Sequence, residues 1–113
     1  MTGKIALNDE NEYRSAVLKH YLNLSETPSR PSPNDLKNAA ELHVRRIPLS
    51  TVEAAFLLAS VRRLSRSPDM PPLSPIHSLA YFFPVIQELL AHPLPEKYLE
   101  YLRSKAALLS RRK

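Results

Sequence analysis

The sequence predicts an all-α protein, a compact bundle of about five short helices joined by proline-rich connectors. Its 113 residues include eleven prolines but a single glycine, Gly3, and glycine is the residue that most easily supplies the positive φ angles of hairpin turns. Apolar residues recur at helical spacing, and the prolines fall between the helical segments. We expect a flexible N-terminus over 1–9, one helical domain over 10–110 and a basic tail over 111–113.

The first two predicted helices flank a linker, 25–34, that has no apolar residue. The first helix begins near Glu10, and its apolar residues share one broad stripe: Tyr13, Val17, Leu18, Tyr21, Leu22 and Leu24. The second begins with Ser32 as N-cap, Pro33 at the first helical position and Asp35 in the first turn. Its apolar stripe contains Leu36, Ala39, Ala40, Leu42 or His43, and Ile47. Pro48 ends it.

The third segment is apolar on nearly every side. Ser50 and Glu53 have the spacing of a capping box at its start. Over 52–61 only Glu53 and Ser60 are polar, a pattern typical of the buried central helix of a bundle. A second proline-rich connector, 67–75, follows, and its fixed φ angles make it rigid.

The segment 74–90 contains three consecutive aromatic residues and an internal proline. We expect Ser74 and Pro75 to start a helix that is kinked at Pro84, because the apolar stripe continues past this proline in phase. A clean break is the alternative. Consecutive helical residues point about 100° apart, so the three aromatic rings cannot form one flat platform for stacked bases. Core packing is the better interpretation, with the hydroxyl-bearing Tyr81 at the edge.

The last predicted helix follows a break at 92–95. Its apolar residues at helical spacing are Tyr98, Leu99, Leu102, Ala106 and Leu109. Together with Tyr101 and Leu108, they exceed what one core stripe needs. This helix is therefore a candidate contact surface for a protein partner or a second copy, and the candidate interaction residues are Tyr81, Tyr98 and Tyr101.

No residue set indicates catalysis, a cofactor or a metal. The chain has no cysteine, which excludes disulfides and a cysteine nucleophile and fits a reducing, cytoplasmic setting. The four histidines stand alone, glycine-rich phosphate loops are missing, and the serines lie at helix starts and connectors. We expect neither a signal peptide nor a membrane span, since the longest apolar stretches fall short of about 20 residues.

The net charge is +5, and the last nineteen residues carry +4 of it. Arginines gather at predicted helix ends, where they interact favourably with the helix dipole. They could equally form a basic face that contacts phosphates without reading sequence. The candidate nucleic-acid-binding residues are Arg62, Arg63, Arg66, Arg103, Lys105, Arg111, Arg112 and Lys113.

The stretch "SLAYFFPVIQEL", preceded by the apolar "IPLSTVEAAFLLA", resembles the C-terminal domain of DnaD-like replication-initiation (primosome) proteins over about 32–90. It is also similar to C-terminal modules of plasmid or mobile-element replication initiators. The DnaD-like family has a helix motif of Tyr-Ile, two residues, Ile-Leu, two residues and Trp. The matching positions are Tyr81, Phe82, Val85, Ile86 and Leu89. Leu89 stands where the family has Trp, and Pro84 lies inside the motif.

The resemblance implies a non-enzymatic helical domain that binds DNA, with help from a basic segment after the motif helix, and contacts other replication proteins. The first hypothesis is accordingly an accessory DNA-binding module in replication or mobile-element biology. The alternative is a protein-interaction or homodimerisation module. Basic side chains that share one face would favour DNA, whereas arginines scattered as partners of helix ends would favour the interaction module.

Overall fold

The computed structural model describes residues 9–24 and 26–111, without the side chains of 110–111. These residues form five α-helices and one turn of 3-10 helix, and they contain no strand. The helices are α1 (Glu10–Leu22), α2 (Pro33–Val44), α3 (Leu49–Leu64), α4 (Phe83–Ala91) and α5 (Glu96–Arg111), and the 3-10 turn is Leu79–Phe82. The all-α prediction is confirmed, while the expectation of a flexible N-terminus concerns residues that mostly lie outside the described part.

The starts of α1 and α2 are fixed by side-chain caps. Asp9 accepts a hydrogen bond from the amide of Asn11 at the start of α1, at 2.7 Å. At α2, Ser32 accepts from the amide of Asp35 at 3.1 Å, and the Asp35 carboxylate accepts from the amide of Ser32 at 3.0 Å. These reciprocal bonds form a capping box, with Pro33 in the first turn. The predicted start of the second helix is confirmed.

The capping box predicted for α3 is wrong. The helix begins at Leu49 after Pro48, and no side chain caps it. Ser50 already lies inside the first turn, so its hydroxyl cannot act as an N-cap. The carbonyl oxygen of Pro48 accepts the first helical bonds, from Thr51 at 3.0 Å and Val52 at 3.2 Å.

The helix predicted from Ser74, with a kink at Pro84, is also wrong. Residues 71–78 have no regular structure, and the backbone becomes helical at Leu79 as a 3-10 turn. The 3-10 turn is capped by Ser78 and leads directly into α4, so that Pro84 lies in the first turn of an α-helix. Amides in the first turn of a helix have no acceptor within that helix. A proline at this position therefore breaks no helical hydrogen bond, and no kink is required.

The core lies around α3, which packs against α1, α4 and α5. Its residues buried in the core are Val52, Ala55, Phe56, Leu58, Ala59 and Val61, as predicted for a central helix. The ring of Phe82 packs edge-on against Phe56, with centroids 4.8 Å apart, and against Tyr21, with centroids 6.1 Å apart. Phe82 is buried and Tyr81 exposed, so the core interpretation of this aromatic run is confirmed.

Leu36 differs from the predicted packing. Its spacing predicts a place on the core stripe of α2, yet it is 44% exposed because Asp35 and Ala39 take the buried side of that turn. Phe83 is partly buried and packs against the core. Among the described residues, no helix has the length and apolarity needed to cross a membrane.

Candidate interaction surface

The arginines at the C-terminal end of α3 are held by partners within the chain. Arg62 donates from both terminal nitrogens to the carboxylate of Glu88 on α4, at 3.0 and 2.7 Å. The hydrogen bond from Arg62 holds the pKa of Glu88 below its usual value, and the same bond raises the pKa of Arg62. Both side chains are about half exposed, so this pair joins α3 to α4 at the surface.

Arg63 fastens both proline-rich connectors to α3. Its guanidinium donates to the carboxylate of Glu26 in the first connector and to the carbonyl oxygen of Ser74 in the second, the latter at 2.7 Å. It also lies over the ring of Tyr81, 5.4 Å from the centroid, and donates to its hydroxyl at 3.2 Å. Only 9% of the Arg63 side chain is exposed. This arginine is a structural clamp.

The remaining predicted phosphate contacts fall into two groups. Arg66 donates to the carbonyl oxygen of Pro71 at 2.9 Å, and Arg103 pairs with Glu96 at 3.4 Å. Lys105 is half-buried and makes no ion pair within the described residues. The side chain of Arg111 and the residues Arg112 and Lys113 lie outside the described part. The described arginines of this set thus serve as partners of carboxylates and carbonyls on several elements.

Helix α5 carries two adjacent stripes of the same spacing. One stripe packs against α3 and the core: Leu99, Leu102, Ala106 and Leu109. The other, which we call the contact stripe, consists of Tyr98, Tyr101, Lys105 and Leu108. Both follow the i, i+3, i+7, i+10 pattern of a helix that packs along a neighbouring helix. The sequence predicts an excess of apolar residues here, and the structure shows which of them pack in the core.

The apolar side chains of the contact stripe face solvent. Tyr98 is 43% exposed, Tyr101 53% and Leu108 60%. The two tyrosine rings stack on each other with centroids 5.6 Å apart and planes 29° apart, so they form one continuous aromatic surface. Tyr81, the third predicted interaction residue, does not join this surface but packs on Arg63.

The surroundings of the contact stripe are basic. Lys105 lies within the stripe. Because successive residues of a helix are rotated by 100°, Lys97 points about 60° away from the mean direction of the stripe around the axis of α5. Arg62 of α3 is paired with the carboxylate of Glu88 and adds no free charge. The acidic residues of α5, Glu96 and Glu100, point about 160° and 120° away from the stripe. An aromatic and aliphatic surface with one lysine within it and another at its edge is therefore presented to solvent.

The interior holds a buried polar connection that sequence reasoning missed. The Asp35 carboxylate, fully buried, accepts a hydrogen bond from the amide of Leu79 at 2.9 Å in addition to its capping bond. Asp35 thereby joins α2 to the 3-10 turn across 44 positions of sequence. Nothing in the local pattern around a first-turn aspartate indicates so distant a partner.

Two buried tyrosines complete the polar interior. Tyr13 donates to the carbonyl oxygen of Ile47 at 2.6 Å, and burial raises its pKa to about 12. The hydroxyl of Tyr21 is buried and has no hydrogen-bond partner within the described residues. Burial, followed by the negative charge of Asp35, raises the pKa of Tyr21 to about 12.

Two concave regions lie elsewhere on the described surface. A cavity of about 130 Å³ borders Arg63 and Arg66 at the end of α3. A shallow groove of about 760 Å³ lies between the end of α2 and the start of α3, beside Tyr13 and Ile47. Within the described residues, no group of three or more histidine, cysteine, aspartate or glutamate side chains is arranged to hold a metal ion.

The fold and this surface define a five-helix all-α globule whose C-terminal helix presents an apolar stripe. Comparisons with protein-family models, with curated proteins and with solved structures gave no match. The resemblance to DnaD-like proteins stays a prediction.

Proposed function

We propose that the chain is a non-enzymatic protein-interaction module that docks a partner on the contact stripe of α5. The observation that carries the proposal is the exposure of Tyr98, Tyr101 and Leu108 along one side of a helix whose neighbouring side is already anchored on α3. A partner that removes this continuous row of exposed aromatic and leucine side chains from water lowers the free energy of the complex. Tyrosine is enriched in such interfaces because its ring is apolar and its hydroxyl stays hydrated.

The dimensions of the contact stripe suit a helical partner. Tyr98 and Leu108 are ten residues apart, which corresponds to about 15 Å along the helix axis. A partner helix of about three turns would cover this length, with its own apolar residues between those of α5. Because α5 is held by a separate stripe, docking on the contact stripe requires no rearrangement of the core.

The intramolecular partners of the arginines support an interaction module over a DNA-binding one. Arg62, Arg63 and Arg66 are bonded to a carboxylate or a carbonyl oxygen within the chain. Phosphates would have to compete with these contacts, and Arg63 is almost fully covered. The lack of cysteine in the chain fits the cytoplasmic location that we propose for the module.

Site-specific photo-cross-linking tests the proposal. A benzophenone amino acid placed at Tyr101 in the source cells, or in an extract of them, should give a discrete adduct, and mass spectrometry of the adduct identifies what lies on the stripe. The same group at Ala107, which is exposed on another side of α5, is the matched control. The adduct should disappear with Leu108→Glu. A chain that forms no adduct at position 101 beyond the level at position 107 would overturn the proposal.

DNA binding is the second candidate function. The supporting observations are the +4 charge of the last nineteen residues and the position of Lys105, which makes no ion pair within the described residues. The resemblance to DnaD-like proteins points in the same direction. A labelled duplex and a labelled single strand should then bind without sequence preference, and affinity should fall steeply between about 50 and 200 mM salt. Failure to bind at the lower salt concentration would exclude this function.

A further inference from the structure

We infer that the partner of the contact stripe is an acidic amphipathic helix, an inference that rests on the proposed function and names the chemistry of its ligand. Lys105 lies in the middle of the stripe, four positions after Tyr101 and three before Leu108. A partner that covers the two apolar neighbours must also cover the half-buried stem of Lys105 and reduce the hydration of its ammonium. A carboxylate opposite Lys105 offsets that desolvation, whereas an apolar or basic residue does not.

The residues at the edge of the stripe also favour a negatively charged partner. Lys97 lies on the solvent edge of the stripe and is exposed. The nearby Arg62 adds no free charge, because it is paired with the carboxylate of Glu88. Glu96 and Glu100 point more than 100° away, so the stripe has no acidic edge of its own on α5. A partner helix with leucine or aromatic residues on one face and aspartate or glutamate beside them is complementary in both respects.

A second copy of α5 is a poorer occupant of the stripe. Parallel pairing in register would place Lys105 opposite Lys105 of the other copy, and two ammonium groups would face each other in the contact. Antiparallel pairing, with Tyr98 opposite Leu108, would place Lys105 opposite Tyr101, so no carboxylate would face the ammonium. DNA is a poorer occupant too, because phosphates could pair with the lysines but would leave Tyr101 and Leu108 exposed.

Binding of designed peptides to the full chain tests the inference. The first peptide, of about 18 residues, has leucines at i, i+3, i+7 and i+10 and mainly glutamate elsewhere. The second keeps the leucines and replaces glutamate by lysine, and the third keeps the acidic composition with the leucine positions scrambled. Fluorescence anisotropy at about 50 mM salt should show the first binding with a dissociation constant on the order of 10–100 μM, as expected for a small interface. The other two should bind at least about tenfold more weakly.

Variants of the chain identify where the peptide binds. Lys105→Glu should weaken the acidic peptide at least about tenfold and strengthen the basic one, because it reverses the charge in the middle of the stripe. Tyr101→Ser should weaken the acidic peptide without reversing the preference. Ala107→Glu, on another side of α5, is the matched control and should bind the acidic peptide about as well as the unaltered chain, within roughly twofold.

Several results would overturn the inference. These are equal binding of the acidic and basic peptides, equal binding of the scrambled peptide, or displacement of the acidic peptide by a DNA duplex with higher affinity. A photo-cross-linked adduct at position 101 that consists of two copies of this chain would also overturn it, yet the proposed interaction function would stand. If no adduct forms at position 101, the proposed function itself fails.

Discussion

Two sides of the molecule are held together in different ways. On the α2 side, single polar side chains join distant segments: Asp35 connects α2 to the 3-10 turn, and Arg63 connects both proline-rich connectors to α3. Helix α5, in contrast, is attached mainly by one apolar stripe on α3, and its acidic residues are exposed. Directional hydrogen bonds specify where irregular segments lie, while the apolar contact of α5 leaves its neighbouring stripe available to a partner.

The largest effect is expected at Asp35. Asp35→Ala removes the acceptor for the amides of Ser32 and Leu79, and the latter amide lies in the buried interior. We expect the free energy of unfolding to fall by about 3 kcal/mol, because a buried donor without a partner keeps its full desolvation cost. Urea denaturation followed by circular dichroism measures this loss.

The exposed Asp69 provides the matched control for Asp35. Asp69→Ala lies in the second connector and should change stability by less than about 0.5 kcal/mol. Similar midpoints of urea denaturation for the two variants would show that the bond from Leu79 to Asp35 does not hold the 3-10 turn to α2.

Alkaline pH should weaken the interior next to Asp35. The pKa of Tyr21 is about 12 in the folded chain against an ordinary value of 10.0, so the neutral form is the one that the fold favours. Its contribution to stability is therefore present below pH 10 and is lost as pH rises toward 12, by about 2 kcal/mol in total. Urea titrations at several pH values between 9 and 12 should show this decline.

Tyr21→Phe isolates that contribution. The variant loses a hydroxyl with no hydrogen-bond partner in the described part of the chain, so at neutral pH its stability should equal or exceed that of the unaltered chain by up to about 1 kcal/mol. Above pH 10 its stability should decline less steeply, while Tyr13 titrates in both proteins. Parallel stability curves for the two proteins would contradict the assignment to Tyr21.

A smaller effect is expected at Arg63. Arg63→Met keeps the aliphatic stem but loses the bonds to Glu26 and Ser74, and we expect a loss of about 1.5 kcal/mol. The Glu26 side chain is 43% exposed and stays hydrated, which limits the cost. Hydrogen exchange gives a local measurement, since the amide of Ile76 donates to the carbonyl oxygen of Glu26 at 2.9 Å and should exchange faster in the variant.

The comparison for Arg63 is Arg62→Met, which breaks the exposed pair with Glu88. This loss should stay below about 1 kcal/mol and leave the exchange of the Ile76 amide unchanged. If Arg62→Met accelerated that exchange as much as Arg63→Met, the clamp on the connectors would not depend on Arg63.

The features that the sequence predicts correctly are those that depend on residues close together in the chain. Helical spacing located all five helices, and the cap of α2 followed from Ser32, Pro33 and Asp35, because these features depend on neighbours within one turn. The predicted start of α4 was wrong because Pro75 and Pro84 are both acceptable first-turn residues, and tertiary contacts decide between them. The roles of Asp35 and Arg63 depend on partners that are distant in sequence, so no local pattern could indicate them.

The candidate surface was predictable to the same extent. The excess of tyrosine and leucine in the last helix was readable from the sequence, since one core stripe needs only four of its positions. The sequence named Tyr98 and Tyr101 as candidate contact residues, but spacing alone did not separate the solvent-facing stripe from the core stripe, because the stripes containing Tyr98 and Leu99 have identical spacing. The packing of α5 on α3 decided between them.

The smallest effect on stability is expected on the contact stripe. Tyr101→Ser and Leu108→Ser should each change the free energy of unfolding by less than about 0.5 kcal/mol, because both side chains are more than half exposed. Leu102→Ala, one position along the same helix, should cost about 3 kcal/mol because Leu102 is buried against the core. Urea denaturation of the three variants measures the contrast between the two stripes directly.

This contrast separates a surface kept for a partner from one kept for the fold. If Tyr101→Ser and Leu108→Ser lowered stability as much as Leu102→Ala, the contact stripe would be part of the core, and its tyrosines would need no partner to explain them. If both variants keep their stability but bind the acidic peptide more weakly, these side chains contribute mainly to docking. The apolar residues of α5 then form two stripes that begin one position apart, one that stabilises the fold and one that binds the partner.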